Sequence, residues 1–174
     1  RMSISIRRLN ASDAASFRAV RLEAFKTHPE AFGSSYDELV SKPVSHFEEW
    51  LTDMVAYGAF SEDQLVAIGA YFRERGLKMR HRAYVISMYC APKVRGQGVG
   101  RQIIEHLADH ARSKKIIQLH LGVGATNSAA KKSYEKAGFR TYGIEPRSLF
   151  VNEKYIDEEL MVRFLDEAPE GKTV

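Results

Sequence analysis

One cysteine and one tryptophan occur among 174 residues, together with only five prolines. A lone Cys90 cannot close an internal disulfide, so nothing in the chain depends on an oxidising compartment. No apolar run approaches the length of a membrane span, and the first residues carry no signal-like hydrophobic stretch; a cytoplasmic protein without membrane contact is expected. Arg1 ahead of Met2 reads as an addition to the natural start. No linker and no internal repeat divides the chain, so one domain over 1–174 is expected. Metal-ligand patterns of His and Cys are absent too, and no metal is expected.

The remaining composition is that of an ordinary globular protein, 44% hydrophobic and 28% charged. Its formal charge of +4 does not gather into a nucleic-acid footprint. Arg80-His81-Arg82, Lys114-Lys115 and Lys131-Lys132 are short, separated groups with no interleaved aromatics, so no nucleic-acid partner is expected.

What the chain does have is an alternation of strand and helix patterns. Ile4 and Ile6 alternate with polar neighbours over Ser3 to Arg8, as in a strand. Ser12 and Asp13 offer an N-cap to a helix reaching about Lys26, with Phe17, Val20, Leu22 and Ala24 on its buried side. Residues 28–36 read as a loop from their Pro and Gly, and a second helix follows Ser45 through Met54. Ala56 to Phe60 and Leu65 to Phe72 form an antiparallel pair across the turn-like Ser61-Glu-Asp-Gln64. A strand ending at Cys90, a helix over 98–114, a strand over 116–122, a helix from Asn127, and strands over 140–144 and 154–165 complete the chain. The predicted order is β-α-α-β-β-β-α-β-α-β-β, an α/β arrangement.

The most informative stretch is Val85-Ile-Ser-Met-Tyr-Cys-Ala-Pro-Lys-Val-Arg-Gly-Gln-Gly-Val-Gly-Arg101, where a strand stops at Pro92 and opens into glycines before an amphipathic helix. Gly96, Gly98 and Gly100 allow close backbone approach, and the unpaired N–H groups of a first helical turn attract an anion. Arg95 and Arg101 flank the turn with two positive charges, which suits a pyrophosphate. Two familiar phosphate sites fail on spacing. A dinucleotide fingerprint begun at Gly96 or Gly98 meets Arg101 or Ile103 where its third glycine belongs. A P-loop needs Lys and then Ser or Thr after its last glycine, and Gly100 is followed by Arg101 and Gln102.

Arg95-x-x-Gly98-x-Gly100 does resemble the acyl-CoA pyrophosphate loop of the GNAT superfamily of CoA-dependent N-acyltransferases. Downstream, Asn127-Ser-Ala-Ala130-Lys-Lys-Ser-Tyr134-Glu-Lys-Ala-Gly138-Phe139 resembles that family's pattern N-x-x-A-x-x-x-Y-x-x-x-G-F. On a helix, 127, 130 and 134 share a face. Taken separately, Asn127 is an N-cap, Tyr134 a core aromatic and Gly138 a left-handed C-cap. The overall sequence, including Glu145-Pro-Arg and Tyr155-Ile-Asp-Glu-Glu-Leu-Met, is similar to uncharacterised bacterial members.

The resemblance implies a GNAT fold, a mixed sheet of about seven strands in which the fourth and fifth are parallel and splay apart. It implies acetyl-CoA as cofactor, with the main chain of Met88, Tyr89 and Cys90 pairing with pantetheine amides. The N–H groups of Gly96, Gln97, Gly98, Val99, Gly100 and Arg101 would then hold the pyrophosphate. Asn127 would reach the pantetheine or phosphate arm, and Tyr134 would lie beside the thioester sulfur. A phenol with pKa of about 10 can protonate a departing thiolate without ionising at neutral pH, which makes Tyr134 the candidate general acid. The N–H of Cys90 is the candidate oxyanion donor.

An alkyl ammonium must also lose a proton before it attacks, and here the chain departs from the family. Members that acetylate protein N-termini often carry a Glu on the fifth strand at the position of Gly122. The remaining candidates for a base are Glu145, the Tyr155-Ile-Asp157-Glu158 cluster and His120, which also reads as a structural histidine. No neighbour in sequence lowers the thiol pKa of Cys90, and the family transfers directly through a ternary complex, so Cys90 is read as a small buried strand residue. The acceptor would bind at Phe32-Gly-Ser-Ser-Tyr36 and at 145–155. The expected reaction is acetyl transfer to a small amine, amino acid or polyamine. Protein lysine or N-terminal amine acetylation and a non-catalytic acyl-CoA sensor are the alternatives, and a homodimer is compatible with the sequence.

Overall fold

The computed structural model describes residues 3–29 and 35–167. Its strands are β1 (Ser5–Arg8), β2 (Val55–Ser61), β3 (Gln64–Arg73), β4 (Arg82–Cys90), β5 (Gln118–Gly124), β6 (Arg140–Val151) and β7 (Lys154–Phe164). The helices are α1 (Ala14–Thr27), α2 (Tyr36–Val40), α3 (Val44–Asp53), α4 (Val99–Ser113) and α5 (Ser128–Lys136). The strands form one mixed sheet in the order β1-β2-β3-β4-β5-β7-β6. Every neighbouring pair is antiparallel except β4 and β5.

Burial follows from the two periodicities. On one face, Phe17, Val20, Ala24 and Phe25 of α1 join Phe47 and Leu51 of α3 against Ala56, Ile68 and Ala70. On the other, Ile103, Ile104, Leu107 and Ala111 of α4 pack on Val85, Leu119, Leu121, Val123 and Met161. Arg163 of β7 ties the sheet to α4 through Glu105, with Nη1 donating to Oε1 at 2.6 Å.

Four sequence expectations change. Asp13 stands at the N-cap position of α1 but makes no side-chain cap bond there; the side-chain cap is one turn earlier, where Asn10 Oδ1 accepts from Ser12 N while Asp13 Oδ2 accepts from Asn10 N, each at 2.9 Å. A capping box of this kind starts a 3-10 turn that runs into α1. The short helix α2 is additional, begun by Ser35, whose hydroxyl accepts from Glu38 N. β5 begins at Gln118 rather than Ile116 and runs on to Gly124.

The fourth change matters most near the site. Glu145-Pro146-Arg147, expected as a turn between strands, lies inside β6, which continues to Val151. The ladder skips there from Glu145–Glu158 to Leu149–Ile156, a bulge that tolerates the missing N–H of Pro146. Arg147 holds it with φ 50 and donates its N–H to Asp157 Oδ1 at 2.7 Å. The true turn is Asn152-Glu153, with φ 51 and 62.

A second bulge governs β4. Ile68 pairs with Tyr89 and Ala70 with Ile86, so Ser87 and Met88 stand opposite the single Gly69. Ser87 adopts φ 58, the left-handed conformation of a bulge residue. The extra residue reverses which side chains face α4. Val85 lies on that side before the bulge, and Met88 and Cys90 lie on it afterwards, while Tyr89 turns to the opposite core. Gly69 is required because a Cβ there would overlap Met88 Sδ and lie 2.7 Å from Ile103 Cγ2. Gly69→Ala is therefore expected to lower stability by about 1–3 kcal/mol, the usual range for overpacking, read as a lower urea midpoint at unchanged m-value.

Candidate active site

The parallel ladder between β4 and β5 consists of Arg82–Gln118, Ala83–Leu119 and Tyr84–His120. Beyond Tyr84 the two strands separate, and the β5-facing edge of β4 loses its strand partner. A bulge sharpens local twist, and Ser87 sits three residues past the last pair, where it carries β4 away.

At the end of β4 the chain turns through Pro92–Val94 into the glycines. Gly96 and Gly98 have φ of 76 and 77, and a Cβ at either would meet nothing within 4 Å. Gly98 caps α4 without any side-chain bond, so the first turn keeps N–H groups uncapped, that of Gly100 facing the Cys90 thiol. A cleft of about 750 Å³ opens there, lined by Met88, Tyr89, Cys90, Arg95, Gly96, Gly98, Val99, Gly100 and Arg101, and by Asn127 and Tyr134 from the other wall. Of the residues expected to hold the cofactor, Gln97 alone is not on the lining, its side chain donating to Lys93 O at 3.1 Å; the base candidates His120, Glu145, Asp157 and Glu158 also lie off it.

Arg95 is partly engaged within the protein. Its Nε donates to Cys90 O at 3.0 Å and its Nη2 to His28 Nε2 at 2.9 Å, and the guanidinium lies 5.7 Å from the Tyr89 ring centre. Asn127 accepts from Ala130 N at 3.2 Å, so it caps α5 while also bordering the cleft. Gly138 has φ 94 and ends that helix, as expected of a left-handed cap.

Tyr134 is half-buried, meets Phe139 edge-on at 6.0 Å, and its hydroxyl has no hydrogen-bond partner among the described residues. Burial holds its phenol well above the ordinary range, with nearby Cys90 adding to the shift. The phenol therefore keeps its proton at neutral pH. Burial also pushes the Cys90 thiol up, against the opposing effects of Arg95 and the Gly100 N–H. That direction disfavours a thiolate nucleophile and agrees with the reading of Cys90 as a strand residue.

His120 is buried on the opposite sheet face. Its Nε2 lies 2.8 Å from Gln118 Nε2 and its Nδ1 3.4 Å from the Tyr142 hydroxyl. Burial, then Arg82, lowers its pKa, so it stays neutral with both ring nitrogens engaged. Of the expected acceptor segment 32–36, residues 32–34 lie outside the described residues.

The Acetyltransferase (GNAT) family matches residues 18–139. The chain belongs to that family. It is an acetyltransferase whose acyl donor is acetyl-CoA. YsnE of Bacillus subtilis, an uncharacterized N-acetyltransferase, is 28% identical over 110 residues, 59% of this chain and 70% of that one. The ribosomal protein bS18 alanine N-acetyltransferase of Salmonella typhimurium is 40% identical over 48 residues, which span 28% of this chain and 32% of that enzyme. Among solved structures, yncA of Salmonella typhimurium, determined with its cofactor acetyl-CoA, has a TM-score of 0.83 at 18% identity and covers 99% of both chains. A GNAT acetyltransferase from Streptococcus pneumoniae has a TM-score of 0.82 at 22% identity, over 93% of this chain and 99% of that one. At such identities these two structures speak for the fold.

The lining of this GNAT cleft suits the acyl donor: side-chain-free backbone at Gly96 and Gly98, open N–H groups at the α4 terminus and cations around them. Two of those cations, Lys132 and Lys136, escaped the sequence reading, as did His28. Their signal was the i, i+4 spacing that puts both lysines on one side of α5. Gly98→Val is expected to weaken acetyl-CoA binding at least tenfold, because a left-handed φ strains a branched residue and its side chain enters the cradle. Calorimetric titration of the folded variant checks this. The double change Lys132→Ala, Lys136→Ala should cost roughly tenfold in affinity at low salt and less at high salt, as exposed charges are screened.

Proposed function

We propose that this protein acetylates a primary amine by direct attack in a ternary complex, the acceptor being a small amine, amino acid or polyamine. The observation that carries this reading is that one cleft joins the glycine turn, the open edge of β4 and the hydroxyl of Tyr134. Bound acetyl-CoA supplies the thioester. The N–H groups from Gly96 to Arg101 bind its pyrophosphate, with Lys132 and Lys136 beside them, and the bare edge at Met88 to Cys90 aligns the pantetheine as an added strand would. The Cys90 N–H stabilises negative charge as it gathers on the carbonyl oxygen.

Tyr134 donates its proton to the sulfur as the amine displaces it. The dry surroundings that keep the phenol protonated also disfavour a bare thiolate beside it, as they do at Cys90, so the leaving sulfur is stabilised by taking the proton. Direct transfer is favoured over a Cys90 intermediate because that thiol stays protonated.

Release of free thiol across a panel of primary amines tests the reading. The panel holds putrescine, tyramine, single amino acids, a lysine-containing peptide and a peptide with N-terminal alanine. A small amine should give the fastest turnover; a peptide in first place would transfer the assignment to protein acetylation. Tyr134→Phe should lower turnover by roughly tenfold to a thousandfold with acetyl-CoA affinity little changed, as expected for a lost general acid. Unchanged turnover would remove Tyr134 from that role.

A further inference from the structure

We infer that Glu158 takes the proton from the acceptor amine, which approaches over Gly122 on the sheet face opposite α5. This rests on the acetyl-transfer reading above and names the missing base.

The gap between β4 and β5 gives the two reactants their separate entrances. Gly122 lies two residues beyond His120, the last β5 residue paired with β4, and so borders the gap. Leu121 and Val123 on either side of it pack beneath α4, hence position 122 faces the other way. With no side chain there, the face is open at one point next to the strand edge that meets the thioester.

Glu158 fills that point. A Cβ at 122 would lie 3.0 Å from Glu158 Oε2 and 3.3 Å from its Cδ, so the carboxylate covers the glycine Cα. Its two oxygens are in different situations. Oε1 accepts from the Ser148 hydroxyl at 2.5 Å, which fixes the carboxylate, whereas Oε2 has no donor among the described residues and lies over Gly122. A half-buried carboxylate oxygen with no donor, beside a passage, is placed to receive an ammonium hydrogen.

The two acids flanking Glu158 on β7 are committed elsewhere. Asp157 Oδ1 accepts from Arg147 N, and Glu159 pairs with Lys131 at 3.1 Å on the α5 side. The ionisable groups sharing the face with Glu158 include Glu145 and Tyr142 of β6, His120 of β5, and Tyr84 and Arg82 of β4, the last two acting on Tyr142. Arg147 turns away, its guanidinium 5.3 Å from the Tyr155 ring centre. Arg82 acts on His120 and Tyr142, and no ion pair among the described residues joins it or any other cation to Glu158, which leaves the carboxylate to a cationic acceptor.

The proton count closes. An ammonium gives its first proton to Oε2 of Glu158, and the freed lone pair forms the C–N bond as the C–S bond breaks. The sulfur leaves with the bond pair and takes the Tyr134 proton, and the second nitrogen proton replaces it on the phenol. One proton therefore remains on Glu158. Ser148 Oγ lies within hydrogen-bond distance of both Glu158 Oε1 and exposed Glu145 Oε2, the latter at 3.1 Å. Its one proton stays toward Glu158 Oε1 while that carboxylate is charged, and the proton gained at Oε2 passes to solvent over Gly122 as the products leave.

The test compares wild type, Glu158→Gln and Glu158→Asp with the fastest amine of the panel, from neutral pH to about 10, the usual amine pKa. Gln keeps the acceptor oxygen for Ser148, and acetyl-CoA affinity reports that each variant is folded. At pH 7 the Gln variant should lose roughly a hundredfold in turnover, and its deficit should shrink steadily as pH rises and solvent deprotonates the amine. Asp should restore part of the neutral-pH rate. Calorimetric titration of the same amine into protein saturated with free CoA should show affinity reduced by about tenfold in the Gln variant, as a charge-assisted contact is lost. A deficit that does not change with pH, no deficit, or undiminished amine affinity would each overturn the assignment to Glu158. A wild-type protein that binds acetyl-CoA and releases no thiol with any amine would instead overturn the acetyl-transfer reading itself.

Discussion

Arg82–Gln118, Ala83–Leu119 and Tyr84–His120 are the parallel pairs joining the β1–β4 half of the sheet to the β5–β7–β6 half. Longer pairing would close the gap, and shorter pairing would leave the halves held by helices alone. The length of this ladder depends in turn on the Ser87 bulge and on Gly69 opposite it, because the bent strand must have somewhere to put Met88. Cys90 faces α4 for the same reason; without the extra residue, Tyr89 would occupy that side and obstruct the cleft. A single inserted residue thus sets both the opening and the small side chain beside it.

The helix that carries Tyr134 is lightly founded. α5 has no fully buried residue; it rests on the sheet through half-buried Ala130 and Tyr134 and through the Lys131–Glu159 pair. A partly exposed ion pair of this kind contributes at most about 1 kcal/mol. α4, by contrast, buries six residues, among them Ile103 and Leu107. One wall of the cleft is therefore fixed and the other is held by little, an arrangement in which a bound ligand bridging the walls supplies contacts that the protein lacks.

The sequence displayed the parts of the site whose chemistry is local. Gly96 and Gly98 announced close backbone approach, Gly138 a left-handed cap, Asn127 an N-cap, and Tyr134 followed at helical spacing; the structure adds that Gly96 and Gly98 are left-handed too. What stayed hidden depends on register. Glu158 meets Gly122 across a strand pair, and no pattern along either strand reveals that contact. Pro146 read as a turn because proline cannot join a ladder, while the bulge that accommodates it is stabilised by Asp157 from the neighbouring strand. The Asn10 cap was legible in retrospect, since Asp13 stands three residues on and completes the box. Ser87 carried no signal, as serine is an uncommon choice for left-handed backbone.

An unpaired strand edge in the middle of a sheet has a cost beyond the site. From Val85 to Cys90 the chain is apolar and β-forming, with backbone groups on one side that no strand satisfies. Proteins guard such edges at their periphery with charge or proline, and this one instead shelters the edge under α4 and α5. If α5 lifted away, that edge would become a template for strand addition between molecules. Occupancy of the cleft and resistance to aggregation are consequently one property of this fold.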